Sequence, residues 1–206
     1  MTQLALVPAR TAVLSMDMQS AIVSVYAKDR PDLLERAAGV LKEARRLGMT
    51  IIHVRVGFRP KLPEVSSRNP LFAAIKNSPQ HRAIFEGAGG EIHPAVAPQA
   101  DDITVVKHRV SAFAGTDLEM ILRAHDIDTL VLFGIATSGV VLSTLLEACD
   151  ADYRLIVIAD CCTDQDAALH ACLIEKLFPR RATVLTAGEF LGALAATQHA
   201  PQAQSE

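Results

Sequence analysis

The chain has 206 residues, a formal net charge of −3, and an apolar share of one half. That length fits one domain with a large core, and that apolar share excludes general disorder. Acids and bases are interspersed without a basic tract, and the aromatics are only seven Phe and two Tyr, which excludes the clustered cations and stacking platforms of a nucleic-acid surface.

In chain order, MTQLALVPAR lacks the basic segment and long apolar run of a secretory leader. No later run reaches the roughly 20 apolar residues that span a bilayer. We therefore expect a cytoplasmic protein without membrane contact. Short runs rich in Val, Ile and Leu read as strands: TAVLSMD (11–17), TIIHVRV (50–56), ITVVKH (103–108), DTLVLFG (128–134), YRLIVIAD (153–160) and ATVLT (182–186). Between the first two, PDLLERAAGVLKEARRLG (31–48) puts Leu33, Leu34, Ala37, Val40, Leu41 and Ala44 on one helical stripe, with Pro31 suited to its first turn and Gly48 to its stop. The segment 57–102 is the one long irregular insertion, and such loops often serve as lids or interfaces. TDLEMILRAH (116–125) reads as a helix with Thr116 and Glu119 at capping-box spacing, and DQDAALHACLIEKLF (164–178) as one with an Asp cap that stops at Pro179. Residues 1–196 are expected to form the domain and 197–206 a frayed tail.

The four cysteines, Cys149, Cys161, Cys162 and Cys172, form no CxxC pair and have no His at zinc-finger spacing. We read them as small buried side chains and expect no structural metal.

Alternating strands and helices imply an α/β fold, a doubly wound parallel sheet covered on both faces in three layers. Right-handed crossovers then bring every strand's C-terminal end to one edge, where ligands bind near the switch in strand order. Asp17 closes the first strand: it either caps the next helix or serves as an acid or base tuned by burial. Lys107 closes the third: it either snorkels from the sheet edge or faces Asp17 as a cation across a pocket. The fourth closes with GIATSGVV (134–141), where Thr137 or Ser138 can cap the next helix and its first amides can receive an anion. Candidate substrate contacts around these ends are Arg55, Arg59, His108, Arg109, Phe113, Ser138 and Gly139. Arg59, Arg68 and Arg82 of the insertion have the fork that grips a carboxylate, or else simply face water.

The succession TAVLSMDMQ, VVKHRVSAFAGTDLEMIL and IDTLVLFGIATSGVVLSTLLEACDADYRL resembles the isochorismatase-like hydrolase family, which includes isochorismatases, nicotinamidases and other amidohydrolases. The resemblance covers most of the chain, with the three motifs in the family's order. It implies a six-stranded parallel sheet of order 3-2-1-4-5-6, Asp17 as the catalytic Asp and Lys107 as the catalytic Lys. It also implies a cis peptide between Ile135 and Ala136 that turns backbone amides, through Thr137, into an oxyanion site.

The amidases of that family carry a nucleophilic Cys six residues after the motif's Gly; counted from Gly134, that position is Val140. Valine has no lone pair, so thiolate chemistry of the family type is excluded there. Cys149 lies nine residues on, about 13 Å along a helix at 1.5 Å per residue. Cys161 and Cys162 close the fifth strand, where buried packing is the preferred reading over a displaced thiol. True isochorismatases also lack the Cys and let the Asp protonate a vinyl ether. Their substrate-binding Gln has no match in VRVGFRP, and the metal-binding acid and His pair of nicotinamidases is missing too, so we expect no metal and no cofactor. SMDMQ lacks the second Asp of a haloacid dehalogenase phosphatase, since Gln19 stands there, and EGAGGEIHP follows no strand and is not a dinucleotide fingerprint.

The sequence therefore favours a hydrolase of a small organic substrate that uses Asp17 with Lys107 and no thiol. The alternatives are a catalytically silent member that binds a small acid or acts as a scaffold, and an amidohydrolase with a displaced thiol. The expected partners are the small-molecule substrate and further copies of the chain, as a dimer or higher homo-oligomer.

Overall fold

The computed structural model describes residues 6–199, with the side chains of 197–199 outside the description. Its elements in chain order are β1 (Thr11–Met16), α1 (Ser20–Tyr26), α2 (Pro31–Arg46), β2 (Thr50–Val56), α3 (Pro70–Asn77), α4 (Pro79–Ala83) and β3 (Ile103–Lys107). The second half comprises α5 (Leu118–Ala124), β4 (Thr129–Gly134), α6 (Leu142–Asp150), β5 (Arg154–Ile158), α7 (Ala167–Cys172), β6 (Thr183–Leu185) and α8 (Ala187–His199). The strands form one parallel sheet flanked by helices, as the strand-helix alternation implies, and its order β3-β2-β1-β4-β5-β6 is the one the family resemblance implies.

Every residue of β1 and β4 is buried, which is why these central strands read as unbroken apolar runs. The stripe of α2 buries Leu33, Ala37, Val40, Leu41 and Ala44, with Pro31 in the first turn and Gly48 at φ 75° beyond the last. One main core runs through the sheet and its helices, and a satellite cluster of Leu62, Val65 and Phe72 sits under the insertion.

The sequence of strands reverses direction between β1 and β4, so the crevice expected of a doubly wound sheet opens beyond their C-terminal ends. The two strands approach closely there. Gly134 has φ 153°, and a Cβ added to it would lie 2.1 Å from the Met16 carbonyl oxygen. Gly134→Ala is therefore expected to destabilise the fold by at least about 1–3 kcal/mol, the cost of overpacking, because backbone rather than a flexible side chain must yield. A denaturant midpoint unchanged from wild type would contradict this.

Several local expectations are corrected. The insertion is not irregular: it contains α3 and α4, whose first turns are capped by the side chains of Asn69 and Ser78. The helix after β3 starts at Leu118 with Asp117 at its N-cap position; the Thr116 hydroxyl accepts from the Leu118 amide at 3.2 Å, as a Thr cap should, while donating to the Ala112 carbonyl at 2.7 Å. Asp166 is the acid that caps α7, accepting from the amides of Ala168 and Leu169. α8 continues to His199, past the expected boundary at 197, and residues 200–206 lie outside the described residues. Cys161 and Cys162 are buried, Cys149 is half-buried, but Cys172 is exposed. Among the described residues, no helix is long and apolar enough to cross a membrane.

Candidate active site

β1 stops at Met16 because Asp17 takes a left-handed backbone, φ 54°, while its amide still donates to the Val54 carbonyl at 2.8 Å. A non-glycine residue in that conformation is uncommon and is held only where its surroundings fix it. The turn brings the Asp17 carboxylate against Lys107, whose Nζ lies 2.9 Å from Oδ2 and donates also to the Arg109 carbonyl at 3.0 Å. Both side chains are almost fully buried. Oδ1 of Asp17 is buried without a hydrogen-bond partner among the described residues. Burial pushes the Asp17 carboxyl above the usual carboxylate range, and the charge and hydrogen bond of Lys107 offset only part of that rise.

Gln19 fixes the neighbouring strand end. Its side chain donates to the carbonyls of Val56 and Gly90 and accepts from the Val56 amide, at 3.0, 2.8 and 2.8 Å. This buried clamp ties the end of β2, which is paired with Lys107 in register, to the segment behind α4.

The loop after β4 supplies the third side of the site. The Ile135–Ala136 peptide is cis. Three ties hold the residues beyond it: the Thr137 amide donates to the Thr163 carbonyl (2.9 Å), the Thr137 hydroxyl pairs with His170 Nδ1 (2.8 Å), and the Ser138 amide donates to Asp164 Oδ2 (2.7 Å). Neither hydroxyl caps the helix, contrary to the capping expectation; residues Thr137–Val141 form a wide turn with Ala136 as its N-cap before α6 begins. The amides of Gly139 and Val141 both point back to the Ala136 carbonyl.

These segments enclose a cavity of about 320 Å³. Asp17, Lys107, Ile135, Ala136, Ser138, Gly139 and Val140 line it together. Its apolar walls come from Ile22 and Tyr26 of α1, from Leu71, Phe72 and Ile75 of α3, and from Ile84 and Phe85 after α4. The insertion thus closes the cavity within the same chain. Arg109 also lines it, but its guanidinium is tied to the carbonyls of His108 and Glu64 at 2.6 and 2.9 Å and lies over the Phe72 ring. It serves there as wall.

Other residues singled out in the sequence are not among this lining. Arg55 reaches the Gly90 carbonyl at 3.2 Å, His108 is bound through Nδ1 to the Gly57 carbonyl at 2.5 Å, and Phe113 packs against Tyr153 with ring centres 6.2 Å apart. Arg59 and Arg82 line a second cavity. The Thr137 side chain is turned to His170, behind the loop.

Tyr26, Asp164 and Gln165 line the first cavity and were missed in the sequence. The signal for Tyr26 was available, since Ile22 and Tyr26 are one helical turn apart in SAIVSVY. So was that for Asp164, an acid a few residues beyond the apolar run of β5, which the structure brings beside the loop after β4 through the bridge between Ile135 and Thr163. Among the described residues, no group of three or more His, Cys, Asp or Glu is placed to hold a metal ion.

Comparison with known proteins agrees with this geometry. An uncharacterized isochorismatase family protein of Escherichia coli O157:H7, YecD, is 31% identical over 191 residues, covering 89% of this chain and 96% of that protein. The maleamate amidohydrolase of Pseudomonas putida is 29% identical over 167 residues, covering 79% and 74% of the two chains. An isochorismatase family protein of Burkholderia thailandensis superposes with a TM-score of 0.77 at 26% identity, over 92% of this chain and 97% of that one. The isochorismatase domain model matches residues 11–189, from the first residue of β1 into α8, and the protein belongs to the isochorismatase family.

Proposed function

We propose that the protein is a hydrolase of a small organic substrate in which Asp17 transfers the proton and no thiol takes part. The observation that carries this reading is the Asp17 carboxyl itself: buried in a residue that lines the cavity, held through Oδ2 by Lys107, with Oδ1 without a partner among the described residues. A buried polar atom without a partner is costly in a merely structural role. A carboxyl raised above its ordinary range holds its proton to higher pH than a free carboxylate and is suited to deliver it.

For a vinyl ether, Oδ1 gives its proton to the β-carbon and water adds to the resulting oxocarbenium carbon. The proton lost from that water returns to Asp17, and the hemiketal releases the alcohol. Lys107 stabilises the carboxylate between the two transfers. For an amide or ester the same carboxylate takes a proton from the attacking water. The amides of Ala136 and Val140, two residues of the cavity lining, stabilise the oxyanion in this reading. Likeness to a maleamate amidohydrolase puts amides beside vinyl ethers among the substrates to try. The walls call for a substrate with an apolar or conjugated body and one polar reacting end.

Val140 stands where we place the family's nucleophile, so the attacking group is water. The displaced-thiol reading receives no geometric support. Neither Cys161 nor Cys162 is among the cavity lining, and burial pushes both thiols up, Cys162 to about 12. A thiol so raised is almost entirely protonated at neutral pH and a poor nucleophile.

Screening the purified protein against vinyl ethers, amides and esters tests the reading. Turnover of one class is expected, and it should survive iodoacetamide, which will modify the exposed Cys172 first. Inactivation that tracks modification of Cys161 or Cys162 and is prevented by substrate would restore the displaced thiol. No turnover of any class, with saturable binding of small acids, would favour a silent binding protein.

A further inference from the structure

A second cavity, of about 270 Å³, shares the side chain of Phe85 with the Asp17 chamber. Its lining is cationic: Arg59 and Lys61 from the segment after β2 and Arg82 from α4, against the single acid Glu86. Among the described residues neither Lys61 nor Arg82 has an ion-pair partner. Arg59 has one at 3.9 Å, Glu64, but that carboxylate also accepts from the Arg59 amide and lies 3.6 Å from His108, so its charge is shared.

The segment that carries the first two cations is built rather than loose. Lys61 and Leu62 both adopt left-handed backbone, φ 67° and 49°. Leu62 is buried in the satellite cluster, its amide donates to the Arg59 carbonyl at 2.9 Å, and its carbonyl accepts from Lys76 Nζ at 3.1 Å. Together these bonds keep Arg59 and Lys61 on the same rim as Arg82. The rest of the cavity is apolar and aromatic. Phe58 and Phe85 meet edge to face, ring centres 5.5 Å apart, and Leu62 completes that side.

A concave surface with three cations against one acid in its lining selects an anion, and two aromatic rings beside them select a flat apolar body. We propose that this cavity binds a small aromatic or conjugated carboxylate. Its carboxylate lies among Arg59, Lys61 and Arg82, and its ring packs on Phe58 and Phe85. The site is distinct from the Asp17 chamber, and its occupancy does not depend on catalysis there. A bound carboxylate also links the segment after β2 to α4, the two segments that bring Phe58 and Phe85 together.

Titration of the full-length, ¹⁵N-labelled protein with benzoate, benzamide and inorganic phosphate, followed by amide shifts, tests this. Benzoate is expected to give saturable shifts at Arg59, Lys61, Arg82 and Phe85, weakened by added salt as an exposed charge contact must be. The double variant Lys61→Ala/Arg82→Ala is expected to lose about tenfold in affinity for two such contacts. Asp17→Asn is expected to bind benzoate as the unaltered chain does. The salt series needs no variant and so stands even if the double variant folds poorly. Benzamide binding as tightly as benzoate would remove the charge argument, and phosphate binding as tightly would remove the aromatic one. Shifts confined to residues 135–140, or no saturable shift, would overturn the site.

Discussion

Asp17→Asn is expected to lower turnover by about 100- to 10,000-fold, the contribution typical of one positioned acid or base, in a chain that still folds. Asn keeps the shape of the side chain and can still accept from Lys107, which lies 2.9 Å from Oδ2 and has a second acceptor in the Arg109 carbonyl. What it loses is the transferable proton on the uncommitted oxygen. The stability change is expected to stay within the roughly 1–3 kcal/mol of an altered buried polar contact. The pH dependence adds an independent check. Because burial raises the Asp17 carboxyl, the acid form persists above the ordinary carboxylate range, and proton-donating turnover should fall as pH rises through the raised value. For stability the sign is the same. A raised group contributes fully below its unfolded value, about 3.9, and that contribution is lost as pH rises through the folded one. Asp17→Asn should flatten that limb of the stability curve. A variant that keeps full turnover, or that unfolds while Lys107→Met does not, would assign the pair to structure alone.

The parts of this protein that sequence exposes are those set by chain-local physics. Buried parallel strands read as apolar runs, α2 reads as a stripe ended by Gly48, and a carboxylate closing β1 attracts notice because it cannot be buried without a reason. Asp17 and Lys107 are separated by 89 intervening residues and meet because both close strands on the same edge of one sheet, which topology alone dictates. What stayed hidden depends on tertiary approach. The His170 ring that engages Thr137 comes from α7, 33 positions away, and nothing near Thr137 in the chain announces it. The insertion reads as irregular because its two helices are short and its apolar positions are divided: Leu71, Phe72 and Ile75 serve the cavity or the satellite cluster, while Ile84 and Phe85 line the cavity and pack on the edge of the main core. Its caps were legible: Asn69 before Pro70 and Ser78 before Pro79 each mark a helix start. Arg55, His108 and Phe113 have suitable chemistry and lie near strand ends in sequence, yet each spends its polar or aromatic group on a neighbour elsewhere.

Val140→Cys is expected to give the protein a reactive thiol and, with it, hydrolysis of amides by a covalent route. Val140 is almost fully buried yet borders the cavity together with Asp17, Lys107 and Ala136. Cysteine is close to valine in volume, so the exchange is expected to cost no more than the roughly 0.5–1.5 kcal/mol of a small truncation in a core. The new sulfur would lie in the wide turn just before α6, where helix amides favour a thiolate, and in the same cavity as the Lys107 ammonium. Asp17, the raised acid of that cavity, is suited to exchange the proton of the thiol and later of the leaving amine. Two measurements separate the parts of this expectation. Iodoacetamide should modify one more thiol in the variant than in the parent chain, at a rate that falls when Lys107 is replaced by Met; that reads the cavity and its charge. A burst of product followed by steady amide hydrolysis reads the proton transfer and the oxyanion site as well. Modification without hydrolysis would leave the thiol activated but the backbone of residues 136–140 out of position to receive an oxyanion. No extra modification at all would mean that Val140 is packed away from the reacting space, and the proposal that Asp17, Lys107 and this loop act as one site would fail with it.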